Sequence, residues 1–314
     1  MMRFVSPTFA AAHAAAAHAS LTADIGGERP WLRFARFLLF AVLLLAAAFL
    51  VVGIALAALP GLSHQISSEH LPDGPLRLAD EGTFALLLGF LLAAPAAAIL
   101  GAAALAWRQP LSAFLWPRRR FDAMQFGVGM LAMTAVGVIT VPLYLLMGSE
   151  WNPPILDPRY ADSTRITYVL AIVAGLLAAA AAEEVVFRGV LLRLTGLVTR
   201  APLVLCLVNG VLFSAFHLDP DPVAFVARAL PGGVWTWAAL RLGGVEFAIG
   251  AHLATNLFIG LFWDPLSEAA LRRDSAWIDL GPEVLTAVIM IVFVERLANR
   301  AAGVEPARSA RPAP

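Results

Sequence analysis

A few ionisable and amide side chains interrupt otherwise apolar stretches of this 314-residue chain. Glu183, Glu184 and Arg188 fall in Glu183-Glu184-Val185-Val186-Phe187-Arg188-Gly189; His217 follows Phe213-Ser214-Ala215-Phe216; His252 and Asn256 lie in His252-Leu253-Ala254-Thr255-Asn256. A charge at the bilayer centre costs roughly 2.5 to 3.5 kcal/mol even on insertion scales, so such residues point to function by default. On a helix, Glu184 and Arg188 are four apart and share a face, which suits an ion pair, whereas Glu183 is turned away by about 100° and stays free. His252 and Asn256 share the same spacing and can act on one ligand.

Peptide hydrolysis needs a water stripped of a proton, a stabilised oxyanion and a proton for the leaving amine. A membrane-buried glutamate can take the first proton and deliver the last, while a histidine and an asparagine can hold the oxyanion. The same residue types could instead ligate Zn2+, with Glu183, His217 and His252 as ligands and a water in the fourth position. The sequence leaves a zinc-bound water and a metal-independent, glutamate-activated water equally open, and no His-Glu-x-x-His helix occurs.

The three blocks resemble the motifs of the CAAX prenyl protease type II and bacteriocin-processing (CPBP, or Abi) family of intramembrane metalloproteases. Glu183, Glu184 and Arg188 match its Glu-Glu-x-x-x-Arg pattern, Phe213 and His217 its Phe-x-x-x-His, and His252 and Asn256 its His-x-x-x-Asn. The likeness covers about residues 166–263. It implies that Glu183 and His217 activate water, that His252 and Asn256 stabilise the oxyanion, and that Glu184 and Arg188 support the site. It also implies an endopeptidase acting on a membrane-associated peptide or a lipidated, CAAX-type protein. Family members are linked to prenylated-protein processing, bacteriocin maturation and self-immunity, and nothing in this sequence selects among them.

The elements that must position these residues are membrane helices. With 60% hydrophobic and 14% charged residues, the composition lies far from the roughly 45 to 50% apolar and about 25% charged usage of soluble domains, which excludes a soluble single-core enzyme. Apolar runs occupy residues 37–59, 83–107, 124–147, 166–194, 202–217, 223–240, 245–263 and 284–297. The expected fold is an all-α polytopic membrane protein with about eight transmembrane helices and the active site inside the bundle. Residues 37–297 form that domain, between a largely disordered cytoplasmic tail at 1–36 and a disordered tail at 298–314. If the segments alternate, 16 of the 22 arginines fall on one side, which the positive-inside rule makes cytoplasmic together with both termini.

Residue counting along the helices brings Glu183, His252 and Asn256 to similar depths, but sets His217 some 8 Å too high unless a helix tilts, starts later or bends near Gly189. Trp107, Trp116, Trp235, Trp237 and Trp263 read as an interfacial aromatic belt, Glu246 as an interfacial residue beside Arg241, and Arg228 as a partner of Asp219 or Asp221. Gly127 with Gly129, and Gly232 with Gly233, are expected to let helices approach. His13, His18, His64 and His70 lack partner spacing for a metal site, and the lone Cys206 is too far from His217 for a nucleophile pair. The expected partners are the lipid bilayer and a membrane-associated peptide or protein, not nucleic acid, and the oligomeric state stays open. Two other readings fit intramembrane polar residues: a non-catalytic scaffold or self-immunity protein, and a proton-coupled transporter.

Overall fold

The computed structural model describes residues 7–19, 30–58, 77–117, 120–148, 151, 153–263 and 276–304. Among them there are helices and no strands. They are α1 (Pro7–Ala19), α2 (Pro30–Ala58), α3 (Arg77–Trp107), the short α4 (Ser112–Leu115), α5 (Ala123–Leu146), α6 (Asp162–Glu184), α7 (Pro202–Ala215), α8 (Pro222–Leu242), α9 (Glu246–Phe262) and α10 (Leu280–Val304). Each of the eight apolar runs is a helix. Six of these are long and apolar enough to cross a membrane, and the chain is an all-α polytopic membrane protein. The other two, α7 and α9, are shorter: at 1.5 Å per residue they reach only about 21 and 26 Å, against a hydrocarbon thickness of about 30 Å. These two helices carry the histidine motifs.

Local chemistry sets the helix ends. Asp122 caps α5 by accepting from the Met124 and Gln125 amides, and Asp221 caps α8 by accepting from the Val223 amide. Both satisfy donors that the first turn cannot pair. Pro202 and Pro222 sit in the first turns of α7 and α8, where a missing amide proton costs nothing. Gly243 ends α8 in the left-handed region, at φ 76°.

The most extensively packed helix pairs are α3 with α6, α5 with α9, α7 with α8 and α2 with α3. In a bilayer such pairs are held by close packing rather than by apolar transfer, so small residues mark the crossings. A side chain at Gly210 would meet the Ala229 carbonyl of α8 at 2.6 Å, and one at Gly232 would meet Gly210 Cα at 2.9 Å. Gly129 of α5 is pressed on the Phe247 backbone of α9, whereas Gly127 faces open space and plays no such part.

Four expectations are corrected. Residues 7–19 are not a structureless tail: α1 docks on α7 and α8, with Ala12 and Ala16 fully buried. Methyl groups alone let a helix lie this close, and they leave no hydrophobic period to read. The last helix runs through Val304 with Ala298 buried, so residues 298–304 belong to it. Glu246 is fully buried and accepts from the Asp122 amide at 2.9 Å, tying α9 to the start of α5. Trp107, Trp235 and Trp237 are buried rather than interfacial, because their helices are packed on the side that carries them. His64, His70 and the loop through residue 76 lie outside the described residues, as does the tail beyond Val304.

Candidate functional site

The first block sits where α6 stops being an α-helix. After Glu184 the chain runs as a π-helix over Val185–Leu191 and returns to α geometry for a last turn at Leu192–Thr195. A π-turn widens the helix and leaves its hydrogen-bond ladder irregular, a cost that recurs at functional sites. Gly189 lies within it, where a side chain would meet Leu115 Cδ2 at 3.0 Å.

Glu184 and Arg188 form the expected ion pair, Nη1 to Oε1 at 2.9 Å, with both side chains fully buried. The second Arg188 amino group donates to the Gly232 carbonyl of α8 at 2.8 Å. Its guanidinium lies 4.7 Å from the Phe213 ring centre and 5.4 Å from that of Trp235, within cation–π range. One arginine thus links α6, α7 and α8.

His252, on α9, enters the same cluster. Its Nδ1 is 2.9 Å from Glu184 Oε1, the oxygen that also receives Arg188. A carboxylate that accepts at Nδ1 fixes the proton on that nitrogen, so Nε2 is the atom left for chemistry. Nε2 lies 3.7 Å from Glu183 Oε2. That separation is too long for a direct hydrogen bond and suits an oxygen bridging the two. Glu183 is 20% exposed at its side chain, yet Oε2 is buried and has no hydrogen-bond partner among the described residues.

His217 is not brought against Glu183. It follows the end of α7 in an exposed turn, with Nδ1 at 2.9 Å from the Phe213 carbonyl, and it makes no ion pair with either glutamate. Its link to the cluster is Phe213, whose ring centre is 5.1 Å from that of His217 and 5.8 Å from that of His252. The turn is held firmly: Ser214 donates to the Phe225 carbonyl at 2.7 Å, and Arg228 pairs with Asp219 at 2.8 Å, one of its two expected partners. Asn256 is half-buried one turn beyond His252 and has no side-chain hydrogen bond among the described residues.

Among the described residues no three of His, Cys, Asp and Glu gather closely enough to hold a metal ion. Glu183, His217 and His252 do not fit round one zinc as they stand, because His217 is not gathered with the other two. Sequence reasoning missed two members of the site, the Gly232 carbonyl and Trp235. The Trp235 ring stacks on His252 with centres 4.5 Å apart and planes at 23°. Neither had a sequence signal beyond its position on a neighbouring apolar helix.

Residues 165–258 match the family model described as Rce1-like, type II CAAX prenyl endopeptidase. That stretch contains all three motif blocks, and the resemblance read from them is borne out over it. A curated relative from Bacillus subtilis (strain 168), the uncharacterized protein YyaK, is 28% identical over 160 residues, 49% of this chain and 50% of the relative. The chain thus spans about half the length of the curated relative it matches. No solved structure matches.

Proposed function

We propose that this integral membrane protein, which matches the type II CAAX prenyl endopeptidase model over residues 165–258, is an intramembrane endopeptidase. It hydrolyses a peptide bond near the C-terminus of a membrane-associated or lipidated, CAAX-type protein or peptide. The observation that carries the reading is the Glu183 carboxylate: a buried oxygen with no hydrogen-bond partner among the described residues, facing a histidine nitrogen at 3.7 Å. A carboxylate held only for packing would be satisfied by the protein around it.

In this reading the substrate enters on the side where His217 is exposed. Glu183 takes a proton from water as the oxygen attacks the scissile carbonyl, then returns it to the departing amine. His217 stands on that entry side, its Nδ1–H donating to the Phe213 carbonyl, so Nε2 is the nitrogen it offers to incoming water. His252, through Nε2, and the Asn256 carboxamide stabilise the tetrahedral oxyanion. Glu184 and Arg188 position His252, and no step is routed through a metal. The arginine asymmetry supports both termini on the cytoplasmic side, with cleavage near that leaflet.

The test compares C-terminal peptides from cells carrying the wild type with those carrying Glu183→Gln. Loss of specific shortened C-termini with undiminished membrane-inserted protein is the expected result. A variant that keeps both the peptides and the biological effect would favour a scaffold.

A further inference from the structure

We propose that Trp235 is a positioning residue of this site: it holds the His252 imidazole flat, so that Nε2 stays aimed at Glu183. The inference rests on the hydrolase reading and adds a residue from α8, a helix that carries none of the three motifs.

A hydrogen bond fixes a ring at one point. Beyond the tether of the imidazole at Cγ, the contact between His252 Nδ1 and Glu184 Oε1 is the one hydrogen bond among the described residues that opposes a tilt of the ring about Cβ–Cγ, and such a tilt carries Nε2 away from Glu183. The indole removes that freedom. Its plane lies nearly parallel to the imidazole at 4.5 Å, while Phe213 meets the imidazole edgewise at 5.8 Å and 75°. The in-plane hydrogen bond and the out-of-plane stack together define the orientation of the ring.

The same indole also lies 5.4 Å from the Arg188 guanidinium, the other donor to Glu184 Oε1. One aromatic side chain therefore supports both groups that share the carboxylate oxygen. Large aromatic area and a negative ring face suit both contacts, and a leucine, smaller and without a ring, supplies neither. Trp235 is 4% exposed, so an interfacial role does not account for it. Trp237, two residues on, is equally buried but donates its indole N–H to Glu295 of α10. It provides a matched control away from the site.

The test uses the full chain in proteoliposomes, with a fluorescence-quenched farnesylated peptide ending in a CAAX sequence as probe. We expect Trp235→Leu to lower kcat by about 30-fold with KM within about twofold, as small misplacements of a reacting group do. Trp235→Phe, which keeps a ring face, should stay within about fivefold of wild type on the same argument. Trp237→Leu should lower the melting temperature and leave kcat nearly unchanged. In histidine-labelled protein the ring-proton resonance of His252, assigned by its loss in His252→Asn, should move downfield in Trp235→Leu as the indole ring current is removed. Wild-type kcat in Trp235→Leu, equal losses in the Phe and Leu variants, or an unmoved His252 resonance would each overturn the proposal. A wild type inert on the peptide would refute the prenyl-peptide reading alone, and the resonance would still decide whether Trp235 holds the ring.

Discussion

Two clusters of charge lie inside this bundle, and they are finished to different standards. Toward the C-terminal ends of α8 and α10, Arg241 meets Glu295 through two parallel hydrogen bonds of 2.7 and 3.0 Å, Trp237 donates to the same carboxylate at 2.8 Å, and Asn299 accepts from the arginine at 3.3 Å. No buried polar atom of Arg241, Glu295 or Trp237 lacks a partner among the described residues. Between α6, α8 and α9 the groups are just as close, but Glu183 Oε2, Glu184 Oε2 and Arg188 Nε are buried without one. Leaving a buried polar atom unpaired costs about 1 to 3 kcal/mol, and more for a charged group. A bundle that satisfies one ion pair completely has the means to satisfy another. The difference separates a cluster that fastens helices from one arranged to receive a third party.

The sharpest way to break this contrast is to neutralise one carboxylate in each cluster. Glu183→Gln should lower peptide cleavage by about three orders of magnitude, within the range attributed to a general base, with little change in melting temperature because Oε2 has no protein bond to lose. Glu295→Gln should do the reverse, destabilising the bundle and leaving kcat close to wild type. Equal effects of the two substitutions on cleavage would dissolve the distinction. Next in size, Arg188→Met removes one half of a fully buried pair, a change that costs roughly 3 to 5 kcal/mol. It should show in the yield and melting temperature of the purified protein as well as in activity. Adding Glu184→Gln should restore part of the stability without restoring cleavage, since His252 would then have lost the carboxylate that orients it.

The contrast also shows what could be read from the sequence. All eight apolar segments and the Glu184–Arg188 pair were legible, because hydropathy and a spacing of four depend on neighbours along the chain. The position of His217 was not legible: residue counting along a helix does not show that the chain leaves α7 before it and sets it in an exposed turn. Trp235 was misread because a tryptophan near a span end looks interfacial, and what buries it is the packing of α8 against other helices. The π-helix at Val185–Leu191 leaves no mark in residue types. Helix α1 escaped because alanines repeat without a period, and only the neighbouring helices distinguish Ala12 and Ala16 from the rest.

A smaller effect refines the satisfied side of the comparison. Arg241→Met leaves Glu295 with the Trp237 indole and the Thr8 side chain as donors, in a setting where the Glu295 side chain is 19% exposed. The loss should be about 1 to 3 kcal/mol, the ordinary penalty for an unpaired polar group. Chemical denaturation should register it while cleavage by the surviving folded protein is unchanged. Loss of activity out of proportion to the folded fraction would mean that the α8–α10 pair acts on the site after all, through the helix that carries Trp235.

The least effect belongs to a pair outside the membrane. Asp157 and Arg159, between α5 and α6, form a two-pronged contact in which the arginine is 71% exposed. The side-chain hydrogen bond from Arg159 is the main cause holding the Asp157 carboxyl below its ordinary value. A carboxylate whose folded value is depressed contributes stability that is present above its unfolded value and is lost as pH falls through the folded one. Arg159→Gln should therefore lower stability slightly at neutral pH and make no difference once the medium is acidic enough to protonate Asp157 in both states. Exposed pairs contribute roughly 0 to 1 kcal/mol and are screened by salt, so the neutral-pH difference should shrink further in high salt. Melting temperatures of the two proteins at neutral and strongly acidic pH, in low and high salt, provide the check. A large, salt-insensitive loss would show that partnering alone does not grade these clusters. It would also remove the reason for treating the unpaired oxygen of Glu183 as a sign of function.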